Sequence, residues 1–260
     1  MPRSIPLLCT SYLPPIAYMA VLAHHDFAII ERCETFPKQT LRNRCIIATA
    51  NGKMPLTVPV VRINGNHTLT ADMQICYHEN WQTMHWRAIC SAYNSAPYFL
   101  YYKDPLEKIF ATQYNQLLDM NQDLLIMLLK MLKIECRIST SEDFYPIIAK
   151  DKKPTITDGK KTVNANGKGF VNTDDKDNLH SAPHVYWSAT PQQRDNIIDL
   201  RDEFSIKRPY SSIDFPTYSQ VFDDKLGFMP NLSILDLIYN LGPEAKSYLQ
   251  KLPDCDSLPE

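Results

Sequence analysis

Two short apolar runs bracket a helical segment near the N-terminus, and this pattern limits the fold more than any other. Ile5–Cys9 reads as a buried strand, Thr10-Ser11-Tyr12-Leu13-Pro14-Pro15 as a turn, and Ile16–His24 as a short apolar helix. Residues 27–30 read as a second strand, closed by Glu31. The two prolines suit a helix start, where a missing N–H costs nothing. Strand, helix and strand with short joints form a βαβ unit, so the two strands run parallel. Ligands of such sheets bind beyond the carboxyl ends of the strands. Those ends are Thr10-Ser11-Tyr12 and residues 31–34.

The remainder divides by pattern. Residues 45–50 and 56–61 flank Asn51-Gly52, a strong hairpin signal. A further strand is expected over 68–76 and a helix over 80–93, where Trp81, His85, Ala88 and Ala92 share one face. Asp104-Pro105-Leu106-Glu107 reads as a helix start, with an apolar stripe continuing to about Leu132. Asn121 interrupts that stripe and needs hydrogen-bond partners. Residues 150–181 are rich in Lys, Asp, Asn, Thr and Gly, too polar to bury a core, and read as a flexible insertion. A last helix pair is expected from 231, broken by Gly242 and Pro243. The fold class is therefore α/β: a mixed sheet starting with a βαβ unit, flanked by helices, with a polar flexible insertion. Residues 1–149 form the α/β core, 150–182 the insertion, 183–252 a C-terminal helical part of the same domain, and 253–260 a tail.

Charge and cysteine usage narrow the class. The 260 residues carry 27 basic and 29 acidic side chains, a net of −2, so no field draws the chain to nucleic acid. The most apolar segment, 124–134, is too short to insert in a membrane. Seven widely spread cysteines without a CxxC fit reduced thiols in a cytoplasmic protein. No glycine-rich phosphate fingerprint and no zinc spacing occur, so neither cofactor nor metal is expected.

Chemistry is concentrated in few places. Lys38-Gln39-Thr40-Leu41-Arg42-Asn43-Arg44-Cys45 packs three cations and two amides into eight residues, directly after a strand. Such a loop suits an anionic or hydroxylated ligand, or is a solvated face. His85, flanked by two indoles, is either a general base or a hydrogen-bonded core histidine. Cys45 lies in a strand-like run, where a small buried thiol is the plain reading. In Asn231-Leu232-Ser233-Ile234-Leu235-Asp236, Ser233 and Asp236 are spaced as a capping box and Asn231 can cap too. An exposed helix N-terminus there could also hold an anion.

Several of these residues carry a family resemblance. Tyr12-Leu13-Pro14-Pro15-Ile16 with Tyr18, Arg42-Asn43-Arg44, and Pro230-Asn231-Leu232-Ser233-Ile234-Leu235-Asp236 with Asn240 and Gly242 resemble the WbqC-like protein family. Trp81-Gln82, His85-Trp86, Ala92-Tyr93 and Tyr98-Phe99 resemble its Bacteroidetes-type branch. The chain departs from the family at Tyr12-Leu13-Pro14-Pro15, where others carry a Gln-Pro-Tyr-like start, and in the polar insertion. The resemblance implies a cytoplasmic transferase of acyl or aminoacyl type, acting on an amino sugar in bacterial surface polysaccharide (O-antigen) biosynthesis. On that reading Lys38, Arg42 and Arg44 hold phosphate or an acyl donor, while Tyr12, Asn43 and Asn231 orient hydroxyls. Asn121 is a further candidate contact, and His85 or Glu31 takes the proton from the attacking amine. The rivals are a non-catalytic binding protein for an anionic or sugar ligand and a thiol hydrolase built on Cys45.

Overall fold

The structure is a computed structural model that describes residues 4–38, 40–145, 186–187, 196–204 and 213–254. The expected polar insertion, 150–182, lies outside the described residues, as does the tail from residue 255. The chain opens with β1 (Ile5–Cys9), α1 (Ile16–His24) and β2 (Phe27–Glu31). Two antiparallel pairs follow, β3 (Arg44–Thr49) with β4 (Gly52–Thr57), and β5 (Val60–Val61) with β6 (Gln74–Ile75). Then come α2 (Trp81–Tyr93), α3 (Phe99–Ala111), α4 (Leu117–Leu132) and β7 (Arg137–Ser141). The remaining elements are β8 (Tyr186–Trp187), β9 (Ile197–Asp199), α5 (Asp223–Leu226), α6 (Ile234–Leu241) and α7 (Ala245–Lys251).

The α/β architecture centres on one parallel sheet in the order β8-β7-β2-β1-β9, with β8 a two-residue edge. The βαβ unit is present, with Leu7 opposite Ile29 and Cys9 opposite Glu31. Both antiparallel pairs stay outside this sheet. The chain moves from β1 through β2 and β7 to β8 on one side, whereas β9 adds to the other side of β1. The junction of β1 and β9 is therefore a topological switch point, where open α/β sheets leave a crevice.

Helix α1 is apolar on all sides, and every residue from Ile16 to Leu22 is buried. A helix without a polar face must be covered all round. Fully burying each of its large aliphatic side chains contributes about 1.5–3 kcal/mol. Helices α6 and α7 supply part of that cover.

Three local expectations are corrected. The stripe read as one helix to Leu132 is two helices, α3 starting at Phe99 and α4 at Leu117. Phe99 is drawn into the core against Tyr239 (5.1 Å between ring centroids) and Trp86 (6.4 Å), so the helix begins before Asp104-Pro105. Pro105 is tolerated inside it because it frees the carbonyl of Tyr101, a residue on the solvent side. The expected strand over 68–76 is reduced to β6, preceded by two short 3₁₀ turns. Thr68 bonds locally, its Oγ1 donating to the Gly65 carbonyl (2.9 Å) and accepting from the Asn64 N–H (2.9 Å). The hairpin turn sits one residue early. Thr49 pairs with Gly52, so the loop is Ala50-Asn51, and positive φ falls on Gly52 alone (103°).

The C-terminal motif divides its labour. Ser233 Oγ accepts from Leu235 N–H (3.4 Å) and caps α6. Asp236 does not complete a capping box. Its carboxylate turns inward, accepting from the Tyr218 hydroxyl (2.6 Å) and Gln220 Nε2 (2.8 Å), and burial raises its pKa. Gly242 has φ 52°, and a Cβ there would meet the Tyr98 ring at 2.5 Å, so no other residue fits. Asn231 lies just before α6 but caps α1 instead, its Oδ1 accepting from Ala17 N–H (3.0 Å). Ile16 N–H donates to the Leu232 carbonyl (3.0 Å) and Ile234 N–H to the Pro14 carbonyl (2.8 Å), so the two helix entries tie each other off. Asn231 takes a left-handed conformation, φ 53°, which asparagine tolerates better than alanine. Asn231→Ala should therefore cost about 2 kcal/mol, half from the lost cap and half from strain, and Asn231→Gly about half as much. Urea unfolding of both variants checks this, and equal losses would refute the strain component.

Candidate functional site

The carboxyl ends of β1, β2, β7 and β9 meet in a cleft of about 420 Å³ at the switch point. Cys33, Glu34, Thr35, Pro37, Arg42, Phe144, Arg201 and Asp202 line it. Glu31, the last residue of β2, lies beneath and is fully buried. Its carboxylate accepts from Ser141 Oγ (2.6 Å), the N–H groups of Cys33 (2.8 Å) and Tyr145 (3.0 Å), and Arg201 Nη1 (3.4 Å). Arg201 also grips Asp199 through Nε (2.9 Å) and Nη2 (2.6 Å).

Across the cleft, Arg42 binds Glu34 in the two-pronged geometry that guanidinium and carboxylate favour, Nε to Oε1 at 2.6 Å and Nη2 to Oε2 at 2.7 Å. Burial works against the Arg42 charge, but the raised pKa keeps it ionised. Of the neighbours that raise it, Cys9 is itself pushed up to about 11 by burial and stays neutral, so the hydrogen-bonded Glu34 carboxylate is the main partner and the Asp202 charge adds to it. Arg42 Nη1 is left without a hydrogen bond among the described residues. Asp202 is exposed and has neither ion pair nor hydrogen bond among the described residues. Four carboxylates (Glu31, Glu34, Asp199, Asp202) thus stand against two guanidinium groups, and among the described residues Asp202 is the one of these six groups without a hydrogen bond or close ion pair.

The basic loop is strapped down rather than free. Tyr12 N–H donates to the Leu41 carbonyl (2.9 Å), and Asn121 Nδ2 donates to both Thr10 Oγ1 (3.1 Å) and the Arg42 carbonyl (2.7 Å). Asn121 therefore positions Arg42 from within the core. Asn43 Nδ2 donates to the Val58 carbonyl (2.9 Å), and Arg44 Nε donates to Thr57 Oγ1 (2.9 Å). Lys38 is exposed. Of the residues proposed from sequence, Arg42 lines the cleft and Glu31 supports it, whereas Tyr12, Lys38, Asn43, Arg44, His85, Asn121 and Asn231 are not part of its lining. Sequence reading missed Glu34, Phe144, Arg201 and Asp202. One signal was present: Asp199-Leu200-Arg201-Asp202 follows the apolar pair Ile197-Ile198, the pattern of a strand end.

Cys45 is structural in its surroundings. It is buried, and burial pushes its thiol pKa far up, so it holds no thiolate for a hydrolase. Among the described residues no group of three or more His, Cys, Asp or Glu is placed to hold a metal ion, and no helix is long and apolar enough to cross a membrane.

An α/β frame with a charged cleft at its switch point has relatives. Residues 10–173 match the WbqC-like protein family, and the chain belongs to that family. It is also 28% identical over 253 residues to the protein Rv1507c of Mycobacterium tuberculosis, described as uncharacterized, with 95% of this chain and 98% of that one covered. No solved structure matches. Glu34, Arg42 and Phe144 fall within the family match, and Arg201 and Asp202 lie beyond it.

His85 is the buried group whose titration should register in stability. The Tyr12 hydroxyl lies 2.8 Å from its Nδ1, the Trp81 ring packs edge-on at 5.2 Å, and the ring also bonds the main chain of Thr57. Burial pushes its pKa from 6.5 down to about 4. Below pH 6.5 the unfolded chain takes up a proton that the folded chain refuses until about pH 4. Stability should fall as pH drops through that window, by roughly 2–4 kcal/mol in all. Unfolding free energies of wild type and His85→Gln at pH 7 and pH 4.5 test this, since the variant should lose much less. Parallel losses would remove His85 as the cause.

Proposed function

We propose that the protein is a transferase of acyl or aminoacyl type, acting in this cleft on the amino group of an amino sugar in bacterial surface polysaccharide (O-antigen) biosynthesis. The supporting observation is the exposed Asp202 carboxylate, which among the described residues has no hydrogen bond or close ion pair, beside two guanidinium groups already bound to other carboxylates. Such a cleft favours a cationic amine over a phosphate. Asp202 takes the proton of the attacking amine. The C–N bond forms as the bond from the acyl carbon to its leaving group breaks, and Arg42 Nη1 faces the oxygen on which charge develops. Glu31 is saturated by four donors and serves as the anchor rather than the base. His85 serves the hairpin rather than the cleft.

A non-catalytic binding protein is the second reading. It is favoured by the saturation of Glu31, Glu34 and Arg201, which leaves few groups able to exchange protons. Incubation with acyl thioesters or acyl phosphates and an amino sugar, followed by mass spectrometry for the N-acyl product, separates the two. Asp202→Asn should lower product formation by about 10²–10⁴, the range for loss of a general base, without changing the melting temperature. A loss below about tenfold would remove Asp202 from that role. Binding without any product from wild type would favour the binding protein.

A further inference from the structure

Phe144 is the one aromatic residue in the cleft lining among the described residues, and 49% of its surface is open to solvent. Leaving that much apolar surface in water forfeits the gain its burial would bring. The residue is nonetheless held firmly. The Arg201 guanidinium lies over the ring at 5.3 Å, itself fixed by Asp199 and Glu31, and the next N–H in the chain, from Tyr145, donates to Glu31 at 3.0 Å. A bare aromatic surface fixed in a cleft costs a ligand little ordering entropy and offers it apolar area.

We propose that Phe144 is the stacking platform of the cleft and that it takes a pyranose ring bearing a protonated amine, the C–H face of the ring on Phe144 and the amine on Asp202. This rests on the amino-sugar reading above and adds the residue that selects the ring. A pyranose has one apolar face for the aromatic surface and polar groups around its edge that can reach the Asp202 carboxylate. A neutral nucleobase would stack equally well, but it brings no positive charge to the Asp202 carboxylate.

The test measures binding of D-glucosamine, D-glucose and uridine to the full chain by saturation-transfer NMR and calorimetry. Glucosamine should bind saturably, and glucose more weakly by about fivefold or more, as expected for one lost charge contact. Phe144→Ala should weaken glucosamine by about tenfold and Phe144→Tyr by less than about threefold, because an aromatic contact is removed in the first and kept in the second. Asp202→Asn should bring glucosamine to the affinity of glucose. The half-exposed position of Phe144 means that its alanine variant should keep the wild-type melting temperature, which is measured alongside. Unchanged glucosamine affinity in Phe144→Ala would overturn the proposal. So would Phe144-dependent binding of uridine in place of glucosamine, or no glucosamine binding at all. These readouts concern binding alone, so absence of an N-acyl product would end the transferase reading without touching this one.

Discussion

The carboxylate of Glu31 is the fixed point on which the cleft depends. A charge with no exposed surface is tolerable only when it is paired and its lone pairs are filled. Four donors do this, and they come from separate parts of the chain: Cys33 after β2, Ser141 at the end of β7, Tyr145 beyond it, and Arg201 after β9. One residue therefore ties three strand ends and the Phe144 loop to a common centre. Breaking such an arrangement from one side typically costs on the order of 3–5 kcal/mol, because the remaining charge stays buried. The precision of the cleft follows from this: Arg201 is oriented, Phe144 is pinned, and Asp202 is left facing outward.

Arginine content alone would have given the wrong sign to this site. Arg42 is paired with Glu34, and neither Arg44, which bonds Thr57, nor the exposed Lys38 is in the cleft lining, so the basic loop brings no free cation to the cleft wall. The surplus lies with the carboxylates. What the loop brings to the cleft is one guanidinium, held over the end of β1 by Asn121 and by the Tyr12 N–H.

Local patterns were legible in the sequence where the physics is local. β1 and α1 follow apolar runs and prolines and have the expected bounds, and β2 ends on Glu31 as read. The hairpin was placed within one residue, because Gly52 can carry the positive φ without Asn51 sharing it. The start of α3 was misplaced because Phe99 is recruited by Tyr239, 140 residues on, and no helix-start signal records that. The site was half legible for the same reason. Arg42 and Glu31 sit next to the βαβ unit, whereas Arg201 reaches Glu31 across 170 residues of chain. Glu34 lies in the strand end marked for ligands, residues 31–34, but nothing in the sequence pairs it with Arg42. Asn121 announced itself as an amide on an apolar stripe, but its partners, Thr10 and the Arg42 carbonyl, could be named only from the fold.

The mutual capping of α1 and α6 has a consequence for how the chain is made. Asn231 follows Ala17 by 214 residues, and the Pro14–Ile234 and Ile16–Leu232 bonds close the same seam. During synthesis the first βαβ unit emerges early, yet the amino end of its helix has no partner until nearly nine-tenths of the chain has left the ribosome. At about 5–20 residues per second, that interval lasts on the order of 10–40 seconds. Throughout it, the part of α1 that α6 and α7 cover has no partner. The order in which the polypeptide is built thus runs against the order in which these contacts can close.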